Sequence, residues 1–378
     1  MTIEDNGNGM TPRTLVHLLY HIGGSAKRTQ GGVDLGITRP DDPTRTPLGR
    51  KIIGKIGIGL FSVAQLTQTF QIVTKVSGDD HRTVASIVLR QYSDLLDEVD
   101  GEYEAGKVLV WREYAHDVES HGTTILLDSV RPQTVETLRS QSLWDSMAFT
   151  SASGSAARAI VKKPGYHIGS VESADTALYN EGGPHHLPWN ADDRPLEAFN
   201  QFVDSVWNSL RQGEPNPSLE HLFDYYLTMV WNLSLAIPLD YVDLHPFDVT
   251  EADGVRTYVL SGQSAGAEEK TGSLREIVGT TEGSGLDFRV LVDDVELRRP
   301  IKVRNFPSTT AAFNTPLLFV ANRRETFSGV DLEFSGGLLA FTAYILWAPK
   351  IVPTEHRGAL IRVHNASGTL FPYLTQRS

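Results

Sequence analysis

The chain has 378 residues, a formal net charge of −12 at pH 7, no cysteine, and 40% hydrophobic against 21% charged residues. That length exceeds one typical domain and suffices for a large core, so a two-domain chain is expected. The acidity disfavours nucleic acid as a partner, and the missing cysteines exclude disulfides, thiolate zinc sites and cysteine nucleophiles.

The elements follow in chain order. A short strand enters DNGNGM (residues 5–10), a helix runs from Pro12 to about His21, and a Gly/Pro/Thr-rich loop extends from Gly23 to Arg50. A second helix is expected to begin near Gly57. FQIVTKV (70–76), VASIVLRQY (84–92), GKVLVWREY (106–114) and GTTILLDSV (122–130) are β-branched runs bounded by Gly, Asp and Ser, which read as strands of a mostly antiparallel sheet. From Pro132 to Asp204 the pattern weakens and irregular segments are expected, whereas LEAFNQFVDSVWNSL (196–210) and LEHLFDYYLTMVWNLSLAI (219–237) carry apolar residues at helical spacing. These stripes read as core. A second strand-rich block begins near Pro238 and includes LDFRVLVDDVEL (286–297), LLAFTAYILWAPKIV (338–352) and RGALIRVHNASGTLF (357–371), each read as extended.

The expected fold class is therefore α+β, a two-layer α/β sandwich followed by a second α/β domain. The expected divisions are 1–130, a linker or insertion with helices over 131–237, and 238–378. No apolar run approaches the ~20 residues of a membrane-spanning helix, and the N-terminus has no signal-peptide pattern, so no membrane partner and a cytoplasmic location are expected.

Two glycine-rich stretches carry the chemistry. In IEDNGNGM, Ile3 ends a strand, Asp5 stands at its tip, and Gly7 and Gly9 permit a tight turn beside Met10. A carboxylate there accepts a hydrogen bond from an exocyclic amine such as that of adenine, and Met10 offers a soft apolar wall; alone, the pattern is also that of an ordinary turn. In GKIGIGLFS, Gly54, Gly57 and Gly59 lead into a helix start whose backbone N–H groups suit phosphate oxygens. No Lys-Ser/Thr pair follows, so it is not a Walker loop.

Taken together, the ordered series IEDNGNGM, IGGSAKR (22–28), a polar loop, IGKIGIGLFSVAQLTQTFQIVTK (53–75) and HGTTILL (121–127) resembles the GHKL superfamily of gyrase, heat-shock protein 90, histidine kinases and MutL, and most of all the heat-shock protein 90 chaperones. The resemblance covers the first third of the chain. It implies a Bergerat-type ATP-binding domain that binds ATP or ADP with Mg2+. Its implied roles are Asp5 as acceptor of the adenine amine, Gly9 and Met10 as pocket wall with Gly7 in the same cofactor-binding turn, Thr123 as a water-mediated adenine contact, and Gly54, Gly57 and Gly59 as phosphate loop. Ser25 and Lys27 fall in the lid, where they either approach phosphate or belong to a solvated loop.

In this family a helix preceding the D-x-G-x-G strand supplies the glutamate that activates water and the asparagine that helps hold magnesium. The sequence begins four residues before Asp5, so an N-terminally truncated ATPase is the expectation, with a non-hydrolysing nucleotide-binding interaction module as the alternative. Glu4 is no substitute, since strand alternation points it away from Asp5. The C-terminal block resembles, more weakly, the middle or transducer domain of these ATPases, where a basic residue reaches the terminal phosphate; Arg323, Arg324, Lys350 and Arg357 are the candidates. A protein client or partner and a homodimer are implied by the same resemblance. A sensor histidine kinase lacks its phosphoacceptor helix here, and a DNA-directed relative is disfavoured by the net acidity. His17 and His21 share a helical face without the glutamate of a zinc-protease helix, and His185 and His186 lack supporting carboxylates, so no protein metal site is assigned. Serine-hydrolase spacing is absent.

Overall fold

A computed structural model describes residues 1–21, 30–43, 45–49, 59–90, 106–152, 164–168, 187–211, 219–237, 239–260, 266–279, 289–302, 317–326, 338–347, 359–363 and 367–371. The chain divides into two compact units, residues 1–141 and 142–378, which both combine helices with mainly antiparallel sheet. No helix among the described residues is long and apolar enough to cross a membrane.

In the first unit β1 (Thr2–Asp5), β2 (Thr69–Lys75), β3 (His81–Leu89), β4 (Gly106–Tyr114) and β5 (Gly122–Leu127) form one sheet in the order β1-β5-β2-β3-β4. Every pairing is antiparallel, and the four strands expected from the β-branched runs are β2 to β5. Alternation places Phe70, Ile72, Ala85, Ile87 and Leu127 on one face, where they bury against Leu15 and Val63. Leu15 comes from α1 (Pro12–Tyr20). That helix starts where the sequence requires it: Thr11 is the N-cap, its hydroxyl accepting the Thr14 N–H at 3.1 Å, and Pro12 takes the first helical position. The buried Thr14 hydroxyl donates to the Leu35 carbonyl at 2.9 Å, fastening α1 to the turn after α2 (Gln30–Asp34).

Val63 comes from a segment that departs from expectation. The helix predicted near Gly57 is, over its described part, a 3-10 helix at Gly59–Gln65. It ends at once: the Thr67 N–H bonds back to the Val63 carbonyl, and the Thr67 hydroxyl reaches the Asp128 carbonyl at 2.7 Å, so the chain is turned into β2.

The second unit holds α4 (Gln141–Ala152), α5 (Pro195–Arg211), α6 (Leu219–Leu222), α7 (Tyr225–Ala236) and α8 (Leu274–Val278), and α3 (Pro132–Leu138) closes the first. The weakly patterned stretch after Pro132 thus contains helices α3 and α4 where irregular chain was expected; their apolar residues do not form one stripe, which hid them from periodicity. The aromatic stripes of α5 and α7 are core, as expected. Phe202 stacks on Phe223 with centroids 4.7 Å apart and meets Trp231 edge-on at 5.6 Å.

A four-stranded sheet has the order β11-β10-β6-β7, from β6 (Arg256–Leu260), β7 (Ala267–Lys270), β10 (Leu317–Thr326) and β11 (Leu338–Trp347); only β6 and β10 run parallel. Within the extended run read over 286–297, the described part forms a tight hairpin of β8 (Leu291–Val292) and β9 (Val295–Glu296). Asp293 and Asp294 turn it with positive φ, which aspartate tolerates better than most residues. RGALIRVHNASGTLF contains a further hairpin, β12 (Ala359–Val363) and β13 (Ser367–Phe371).

Asp224 breaks the long apolar stripe into α6 and α7. Fully buried, it caps α7 by accepting the Leu227 N–H at 2.9 Å and holds a distant segment by accepting the Ile168 N–H at 2.8 Å. Burial raises its pKa, against the lowering effect of these donors. Beside it, burial first and then the Tyr226–Asp293 hydrogen bond push the Tyr226 phenol up, so it stays a donor throughout the ordinary pH range. Asp224→Ala is expected to destabilise the protein by about 2–4 kcal/mol, because it removes a helix cap and leaves the part-buried Ile168 N–H without its acceptor. Urea unfolding followed by tryptophan fluorescence reads this, and an unchanged midpoint would contradict the clamp.

Candidate functional site

The sheet face that carries the core of the first unit turns polar at one end. Directly paired residues share a face, and the pairs Asp5–Thr123 and Thr123–Thr74 set three polar side chains in a row across β1, β5 and β2. One pleat further along, Ile3, Ile125 and Ile72 form the equivalent apolar row. Ile3 is 42% exposed and Ile125 partly so, which leaves an apolar floor open beside the Asp5 carboxylate.

The DNGNGM loop folds over this corner. Asp5 Oδ1 accepts the Gly7 N–H at 2.8 Å, an Asx turn that fixes the carboxylate; among the described residues Oδ2 takes no hydrogen bond. His121 Nδ1 lies 2.7 Å from the Gly7 carbonyl and donates to it. Gly9 has φ +68°, and a Cβ there would stand 1.8 Å from the Lys75 carbonyl oxygen. Gly122, φ +132°, would bring a Cβ to 2.1 Å from the Asp5 carbonyl oxygen. Both positions therefore require glycine, and their bare backbones let the loop lie directly on the ends of β2 and β5.

Met10 is then held at the wall. Its N–H donates to the Thr74 hydroxyl at 2.8 Å, and its side chain packs against the core cluster. Thr74 Oγ1 lies 3.1 Å from the Gly122 carbonyl and 3.1 Å from Thr123 Oγ1. A hydroxyl has one proton; with that of Thr74 given to Gly122, Thr123 is the donor in the pair and keeps its own lone pairs. The corner thus offers an outward carboxylate oxygen, a threonine acceptor, an apolar floor and a methionine wall. That set matches a flat heterocycle with an amine on one edge. Lys75 takes no part, because its ammonium is occupied by the Val118 and Ser120 carbonyls at 2.9 Å each.

Of the residues singled out in the sequence, Asp5, Gly7, Gly9, Met10 and Thr123 meet at this corner. Gly59 opens the 3-10 helix elsewhere in the unit. Ser25, Lys27, Gly54 and Gly57 lie outside the described residues, as do Lys350 and Arg357. Arg323 and Arg324 are adjacent in the sequence of β10, in the second unit. Sequence reasoning missed Thr74 and Gly122. The signal for Thr74 was the alternation Phe70, Ile72, Thr74, which sets a hydroxyl in line with buried apolar residues.

A carboxylate group at the β2–β3 turn is of a different kind. Asp79, Asp80 and His81 lie close together, yet Asp79 binds Arg112 at 2.7 Å and His81 Nδ1 binds Asp80 at 2.6 Å. That last bond holds the Asp80 carboxyl below its usual range. These charges serve the turn.

No protein-family model and no curated protein matches the chain.

Gly9 and Gly36 share φ +68°, but a Cβ at Gly36 would have open space around it. Gly36→Ala is expected to cost about 1 kcal/mol from its backbone alone, and Gly9→Ala at least about 2 kcal/mol more because the loop must leave Lys75. Melting temperatures of the two variants, measured side by side, isolate the contact.

Proposed function

We propose that residues 1–141 form a Bergerat-type nucleotide-binding domain of the GHKL class, similar to that of heat-shock protein 90, which takes ATP or ADP by its adenine at the Asp5 corner. The observation that supports it best is Asp5 Oδ2, which takes no hydrogen bond among the described residues and stands in the same cross-strand row as Thr123, next to the row of Ile3 and Ile125. A carboxylate oxygen accepts the 6-amino group of adenine and repels the 6-oxo group of guanine, so the corner selects between them. The Thr123 lone pairs accept from a water that completes the ring edge. Phosphates fall, in this reading, to Gly54, Gly57 and Gly59, with Ser25 and Lys27 in the covering loop.

The fit is to the base end of the nucleotide. Asp5 is the one carboxylate among the residues sharing this face on β1, β5 and β2, and Glu4 lies on the opposite face, so these strands supply no ligand set for magnesium. Turnover needs a further carboxylate to orient water and a metal on the phosphates. The base corner by itself therefore favours a nucleotide-binding switch, with hydrolysis dependent on a catalytic glutamate from outside this corner. In the full reading, nucleotide closes a lid and couples the pocket to the second unit and to a client or a second copy of the chain.

Titration with a fluorescent ADP tests the base site. Asp5→Asn keeps the shape but turns part of the acceptor into a donor, and is expected to weaken adenine nucleotides about 10- to 100-fold with little change in melting temperature. Guanine nucleotides are expected to compete poorly. Unchanged affinity in the Asp5→Asn variant, or equal competition by GDP, would remove the reading; phosphate release assayed on the same samples separates turnover from binding alone.

A further inference from the structure

The five-stranded sheet of the first unit ends on β4, and among the described residues no strand pairs with the outer side of β4. We propose that this edge joins the β4 of a second copy of the chain, antiparallel about a two-fold axis at Val110, so that the two sheets run on as one. β4 lies across the sheet from β1, and the pairing is independent of the base corner. The strand lacks the devices that protect sheet edges. β1 and β7, edges of their own sheets, have four residues each, and three of those in β7 are charged. β4 instead runs over nine residues in unbroken register with β3, without proline, and its first half reads Val108, Leu109, Val110. Leu109 is 67% exposed, Tyr114 62% and Val108 49%.

The backbone phase fixes which groups are free. The Ala115 N–H donates to the Asp80 carbonyl at 2.8 Å, and bonding in an antiparallel ladder alternates, so Lys107, Leu109, Trp111 and Glu113 bond to β3. The Leu89 N–H, given to the Gln68 carbonyl on the side of β2, sets the same phase for β3. Val108, Val110 and Arg112 therefore turn their N–H and C=O groups to the open side.

Self-pairing must match open residues with open ones, and the charges pick one register among those that do. Centred on Val110, it sets Lys107 opposite Glu113, Leu109 opposite Trp111, Val108 opposite Arg112 and Gly106 opposite Tyr114, each pair occurring twice. Glu113 accepts from Arg82 Nη2 at 2.7 Å on one oxygen and from Trp111 Nε1 at 2.8 Å on the other, and each oxygen keeps a further lone pair. Lys107, which has no ion pair among the described residues, supplies a second cation to that carboxylate from the far side. The Arg112 stem covers the exposed Val108, and the Tyr114 ring lies over Gly106, which has no side chain in its way. A centre at Leu109 or at Trp111 puts Lys107 opposite Trp111 or Ala115 instead, and both ion pairs are lost.

Sedimentation equilibrium of the intact chain is expected to show monomer and dimer exchanging in the micromolar range. Lys107→Glu sets like charges opposite each other at two places and is expected to weaken the dimer about tenfold at low salt. Val110→Pro removes the outward N–H at the axis without touching a bond to β3, and is expected to abolish dimerisation while far-UV circular dichroism stays unchanged. Since the chain has no cysteine, Val110→Cys is expected to give a disulfide-linked dimer under mild oxidation, whereas Tyr114→Cys, whose two copies would stand roughly 27 Å apart, should not. A chain that stays monomeric at millimolar concentration would overturn the pairing and leave the edge to an extended segment of another protein. A dimer unaffected by Lys107→Glu, or cross-linking through Tyr114→Cys and not through Val110→Cys, would overturn it equally.

Discussion

The arrangement of the first unit depends on the register of β5, which is held between β1 and β2 and read by both. Because side chains alternate with a period of two, the pairing that buries Ile72 beside Ile125 also fixes Asp5 beside Thr123 and Thr123 beside Thr74. A slip of one residue would turn the core face outward and scatter the polar row at once. The apolar core and the polar corner are thus set by a single choice, made by hydrophobic burial and not by the polar residues themselves.

Backbone contact does the rest. Gly9 touches the carbonyl of Lys75, and Gly122 touches that of Asp5, so loop and sheet meet without intervening side chains. Met10 then reaches Thr74 through its own N–H. Thr11 and Pro12 begin α1 immediately afterwards, so the loop has no slack at either end. A corner built on a strand end, a helix cap and two compulsory glycines is ordered by its own backbone.

Much of this was legible in the sequence because the signals were local. Four β-branched runs became four strands, the stretch read as helical from Pro12 became α1, and the aromatic stripes of α5 and α7 became core. The missing pieces are those set by distant partners. Asp224 looks like one more polar residue in a helical stripe until its carboxylate is seen holding the N–H of Ile168. The hairpin at Asp293 and Asp294 contains no glycine, so nothing local announced a turn. Thr74 needed the register of β5 before its hydroxyl had a meaning. The convergence of Asp5, Gly9, Met10 and Thr123 was expected from the ordered series of motifs, and the hydrogen bonds that seat them came only from the fold.

The Asx turn at Asp5 has a bearing on chemical ageing. Asn6 and Asn8 each precede a glycine, the context in which a backbone nitrogen most readily attacks the asparagine side chain to give a succinimide. For Asn6 that nitrogen belongs to Gly7, whose N–H is held by Asp5 Oδ1 at 2.8 Å and is thereby kept from its neighbour. Gly9 has no such bond among the described residues, so deamidation during storage would begin at Asn8 and add a negative charge to the loop two residues before Met10.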